Sequence, residues 1–131
     1  MPNAEIPATQ QHTSKVARDK AMIADWGSIQ WLVNREAFPT TGITFGYVEI
    51  EAGRKNPKHH HPNSDEVLYL IEGELEHSVG AESVRLKPGD VIYIPSNVPH
   101  DARNVGTCTA KMVVGYPTGE RRIVMHEAGV D

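Results

Sequence analysis

Gly53-Arg54-Lys55-Asn56-Pro57-Lys58-His59-His60-His61-Pro62-Asn63-Ser64-Asp65-Glu66 is the stretch whose reading decides the fold. His59 and His61 are two apart. On an extended strand, residues two apart point to the same face, so these imidazoles stand side by side while His60 points the other way. Glu66 follows a Pro-Asn-Ser turn, and His100 answers from a distant segment. Three imidazoles and a carboxylate make a metal site. Asp65 adjoins Glu66 and faces the opposite way on a strand, so only one of the two carboxylates can reach the ion.

Outward from this stretch, the chain is a series of short runs with strand composition, broken by turn residues. The reading places strands at Ile29 to Val33, Ile43 to Glu51, Val67 to Ile71, Glu74 to Val79, Ser83 to Leu86, Val91 to Ile94, His100 to Val105 and Cys108 to Tyr116. Gly73 stops the third run, and a hairpin is expected across it. Lys87-Pro88-Gly89-Asp90 is a strong turn signal, and Pro95-Ser96-Asn97-Val98-Pro99 reads as a loop. No middle segment has a 3.6-residue apolar repeat. Many short strands at this spacing predict an all-β sandwich or barrel.

Two runs say more. Val67-Leu68-Tyr69-Leu70-Ile71 is apolar on both faces, so a second layer beyond the barrel interior is expected, either the N-terminal strands or another subunit. In the last run Cys108, Ala110, Met112, Val114 and Tyr116 share the face assigned to the interior, and Cys108 reads as a small core residue.

The 131 residues suffice for one domain with a real core. A net charge of −4, with no basic cluster beyond a few residues, argues against nucleic-acid binding. One cysteine, Cys108, excludes an internal disulfide. The longest apolar run is far short of a membrane span, and no signal-peptide pattern is seen, so a cytoplasmic location is the default expectation. Residues 1–20 are polar, lack periodicity and read as a flexible arm; residues 21–131 read as a single domain.

The spacing Gly53, five residues, His59-x-His61, four residues, Glu66, six residues, Gly73 resembles the first motif of the cupin superfamily. Gly89, five residues, Pro95, then His100, three residues, Asn104 resembles the second. The motifs span 53–73 and 89–104, and the resemblance covers Phe45 to Tyr116. It implies a double-stranded β-helix, the jelly-roll cupin barrel, often a homodimer, with one divalent metal held by His59, His61, Glu66 and His100. It also favours Glu66 over Asp65. One departure is visible: Asn97 stands where the second motif usually has glycine. Asn tolerates a positive φ better than most residues, so the loop is expected to survive.

A 3-His/1-Glu set leaves an octahedral Fe, Mn or Ni ion two open positions, and Zn is satisfied at four or keeps one. The function expected is an enzyme of dioxygenase or isomerase/lyase type on a small oxygen-bearing molecule. The alternative is a non-catalytic ligand-binding or sensing module with a structural metal. His77 shares a face with Leu75 and Val79, which makes it a candidate acid/base; a buried structural histidine is the competing reading. Tyr116 is a second candidate proton carrier, and Met112 either lines the cavity or packs the core. Arg54, Lys55 and Lys58 either draw an anion to the mouth or form a solvated loop. His60 and His12 read as surface residues, and Trp26 and Trp31 as packing groups.

Overall fold

The structure, a computed structural model, describes residues 20–131. The expected arm, apart from Lys20, and His12 lie outside the described residues. Eleven strands follow in chain order: β1 Met22–Ala24, β2 Gly27–Val33, β3 Thr44–Ile50, β4 His59–His60, β5 Glu66–Glu72, β6 Leu75–Val79, β7 Glu82–Leu86, β8 Val91–Ile94, β9 His100–Asn104, β10 Ala110–Tyr116 and β11 Val124–Met125. One sheet has the order β1-β2-β3-β10-β5-β8, and the facing sheet β11-β4-β9-β6-β7. Every pairing is antiparallel. This is the jelly-roll arrangement of an all-β barrel, with no α-helix among the described residues. No helix there is long and apolar enough to cross a membrane.

Alternation builds the core. β3 and β10 each read buried and half-buried by turns along their whole length. Their inward residues Val48, Ile50, Ala110, Met112 and Val114 meet Leu68, Leu70 and Leu75 in one apolar cluster. Full burial of one such aliphatic side chain stabilises by about 1.5–3 kcal/mol.

Two expectations are corrected, and one of two alternatives for the outer face of β5 is removed. The run broken at Gly73 is not a hairpin: β5 lies in one sheet and β6 in the other. Gly73 turns the corner at φ 95°, so close to Ala110 that a Cβ would sit 2.8 Å from its Cα. The hairpin instead joins β6 to β7, with Val79 opposite Glu82 and Gly80 at φ 60° in the turn. Cys108 is exposed rather than core. β10 begins two residues later, so the face pattern that buries Ala110 to Tyr116 does not extend back to it. Finally, the outer face of β5 is not covered by the N-terminal strands. β1 and β2 lie beyond β3 on the far side of the same sheet, and Val67, Tyr69 and Ile71 stand exposed.

Asn97 adopts φ 68°, the conformation anticipated from its place in the loop. Its N–H donates to the His61 carbonyl at 2.9 Å, tying the second motif to the first.

Candidate metal centre

The structure brings together all four residues that the sequence singled out. β4 carries His59 and pairs with β9 so that His59 lies opposite His100. His61 follows β4, Glu66 opens β5, and each of the four is buried. One potential ligand atom from each lies within 4.8 Å of all the others. Asp65 points away, accepting from the Tyr93 hydroxyl at 2.8 Å and the Ser96 N–H at 2.9 Å. Neighbouring strand residues face opposite sides, which is why Asp65 anchors β8 while Glu66 enters the barrel.

The hydrogen bonds orient the rings. The Nδ1 atoms of His59, His61 and His100 lie 2.7, 2.8 and 2.9 Å from the carbonyl oxygens of Pro57, Arg122 and Val98. A carbonyl only accepts, so each Nδ1 carries the proton and each neutral ring keeps its lone pair on Nε2. Glu66 Oε1 sits 3.1 Å from Nε2 of both His61 and His100. His61 Nε2 is buried without a hydrogen-bond partner. Lone pairs and a carboxylate thus converge with no neutral donor between them. A divalent cation fits this donor set, and backbone carbonyls on the outer nitrogens are the usual way to aim metal-binding imidazoles.

Burial pushes the Glu66 carboxyl up, and only positive charge at His100 and His61 outweighs it and holds the group well below the usual carboxylate range; with both rings neutral, that charge has to come from a cation. Burial would push His59 down, yet the hydrogen bond and charge of Asp131 raise it.

Further candidates line the same cavity. His77 is buried, with its ring stacked on His100 at 6.0 Å between centroids. Burial lowers its pKa to about 4. Tyr116 packs edge-on against His61, with centroids 5.1 Å apart. Burial and then the Glu66 charge raise its hydroxyl well above the ordinary value, so it stays protonated. Met112 also faces the cavity. Trp26 belongs to the core, and Trp31 packs edge-on against Tyr116.

Of the basic residues ahead of the ligands, Lys55 is committed to Asp101 and Glu127. His60 meets His126 at the surface, with ring nitrogens 2.7 Å apart. The sequence reading missed the segment after Tyr116 altogether. Arg121 lies 4.5 Å over the Trp31 ring and 5.5 Å from the Tyr116 ring, Arg122 supplies a carbonyl to His61, and Asp131 enters the cavity. That segment has no motif and hardly any strand pattern, so nothing local marks it.

Fold and site together define a metal-binding type of jelly-roll barrel, in which a His-x-His pair, a glutamate and a distant histidine meet inside the strands. Residues 46–116 match the family described as the cupin domain, and the chain belongs to that family. It is 33% identical over 87 residues to the tetracenomycin polyketide synthase protein TcmJ of Streptomyces glaucescens, covering 66% of this chain and 58% of that protein. It is 31% identical over 91 residues to germin-like protein subfamily 3 member 2 of Arabidopsis thaliana, covering 63% and 40%. The chain spans about half the length of the curated relatives it matches. Among solved structures, the oxalate decarboxylase of Lactobacillus farciminis in its formate complex superposes with a TM-score of 0.77 at 22% identity, covering 82% of this chain and 33% of that one. That likeness concerns the fold.

Proposed function

We propose that this cupin is a metal-dependent enzyme acting on a small oxygen-bearing molecule, with His59, His61, Glu66 and His100 holding one divalent ion, Fe, Mn, Ni or Zn. The observation that carries the reading is the buried, unpartnered Nε2 of His61 facing Glu66 Oε1 at 3.1 Å. A bound divalent ion would polarise a substrate oxygen or acidify a hydroxyl or water there. The protein's own residues would do the rest. Leu68, Met112 and Val114 keep one side of the cavity apolar and exclude water. Tyr116 holds a proton beside His61 and donates to a developing oxyanion. His77, kept neutral by burial that lowers its pKa to about 4, lines the same cavity beside His100 and would relay a proton onward to water rather than hold it.

Two curated relatives carry the name polyketide synthase, which supports an oxygen-rich substrate. A dioxygenase and an isomerase or lyase are the two reaction types in view. Protein purified without nickel affinity separates them. Iron, with O₂ uptake on a catechol or diketone, supports the first. Zinc, with turnover but no O₂ uptake, supports the second. A loaded site with no turnover on any such compound favours the alternative, a ligand-binding or sensing module.

The enzyme is further proposed to be a homodimer. Val67, Tyr69 and Ile71 on β5 stand exposed beside Val91 and Tyr93 on β8, and the register Val67 opposite Tyr93, Tyr69 opposite Val91 puts them on one outer face. A contiguous apolar face of this kind is a common subunit interface.

A further inference from the structure

The residues after Tyr116 are joined to the metal centre at several points. β11 pairs with β4, placing Val124 opposite His60 and Met125 opposite His59. Glu127 accepts from the Lys58 N–H at 2.9 Å and pairs with Lys55. The Val130 carbonyl accepts from Trp26 Nε1 at 2.8 Å. Held this way, the strap delivers the Asp131 side chain into the barrel, where it is only 5% exposed. Its Oδ2 lies 2.9 Å from His59 Nδ1 and 3.2 Å from Asn56 Nδ2.

A carboxylate buried to this degree costs several kcal/mol unless a positive charge faces it. An amide and a neutral imidazole are weak compensation. An imidazole that gives its Nε2 lone pair to a cation carries positive charge on its Nδ1 side, and that is the side Asp131 meets. The three histidines are not alike in this respect. His61 and His100 have only backbone carbonyls at Nδ1, whereas His59 has the Pro57 carbonyl at 2.7 Å and the Asp131 carboxylate beside it.

We propose that Asp131 is the outer carboxylate of His59, a positioning residue that holds the ring and strengthens it as a donor to the metal. The inference rests on the metal reading above. It makes the strap part of the metal centre: by linkage, metal binding secures residues 124–131, and loosening them weakens the metal.

The test uses Mn²⁺ as the probe, at pH 8, on the full chain in wild-type, Asp131→Asn and Asp131→Ala forms. Affinity is read by chelator competition, and the melting temperature is read with and without Mn²⁺. Loss of an outer partner is expected to weaken Mn²⁺ binding about 10–100-fold in Asp131→Ala. Asp131→Asn, which keeps an acceptor but no charge, should fall between. The metal-free melting temperature of Asp131→Asn should match or exceed wild type, while its increment on adding Mn²⁺ shrinks. A merely structural role would lower both melting temperatures equally. That result, or affinities within twofold of wild type, overturns the proposal. Failure of the wild-type protein to bind Mn²⁺ or any other divalent ion overturns the metal reading as well, so the two failures are distinct.

Discussion

His61 Nε2 and Glu66 Oε1 face each other at 3.1 Å inside the barrel, and no hydrogen bond joins them. His61 has already given its proton-bearing nitrogen to the Arg122 carbonyl at 2.8 Å. A lone pair and a carboxylate oxygen held this close repel unless a proton or a metal cation sits between them, and the proton of the neutral His61 ring is already on its other nitrogen. The metal reading follows from that contact more directly than from the count of histidines.

Glu66→Ala is therefore expected to empty the site, and Asp65→Ala to leave it loaded. Asp65 spends both oxygens on Tyr93 and Ser96, so its loss should lower stability modestly and leave the metal content unchanged. Metal content and urea midpoints of the two variants check this pair of outcomes.

His77 gives a pH signature. Its pKa falls from 6.5 to about 4 because the ring is buried. The folded protein carries it neutral, while the unfolded chain takes up a proton below the ordinary value. Its stabilising contribution is full above about pH 6.5 and is lost as pH falls toward 4, by about 3 kcal/mol at most. Urea midpoints of metal-free wild type and His77→Phe between pH 4.5 and 7 measure it. The variant should show the flatter dependence.

Gly73 should not tolerate a side chain. Its φ of 95° is strained for any L residue, and an added Cβ would meet the Ala110 backbone at 2.8 Å. Gly73→Ala is expected to cost about 2 kcal/mol or more. Gly89 has a similar φ of 94° but open space around it, so Gly89→Ala should cost about 1 kcal/mol. Thermal melts of the two variants give the comparison.

The exposed face of β5 and β8 predicts the assembly. Tyr69→Lys combined with Tyr93→Lys should convert a dimer to a folded monomer, seen by light scattering on a sizing column with unchanged circular dichroism. A variant that stays dimeric would place the interface elsewhere.

Much of this was legible in local pattern. The eight expected strands all exist, with ends displaced by a residue or two, because alternation of apolar and polar residues reports a half-buried strand directly. The ligand set was legible because two imidazoles two apart share a face and the spacing to Glu66 and His100 matches a family motif. The partner of each strand was not legible. Gly73 looked like a hairpin turn, and nothing local distinguishes a turn within a sheet from a corner between sheets. Cys108 was misplaced because a face pattern does not say where a strand starts. The strap was invisible for a similar reason: Val124–Met125 is too short to show a period, and Asp131 matters only through a contact 72 positions back in the chain at His59.

The central claim is that four side chains hold one divalent ion. Elemental analysis of untagged wild-type protein beside His100→Ala tests it most directly. The account predicts one equivalent of Fe, Mn, Ni or Zn per chain in the wild type and its loss in the variant. A wild-type protein that stays metal-free after incubation with each of these ions, or a variant that keeps its full equivalent, would contradict it.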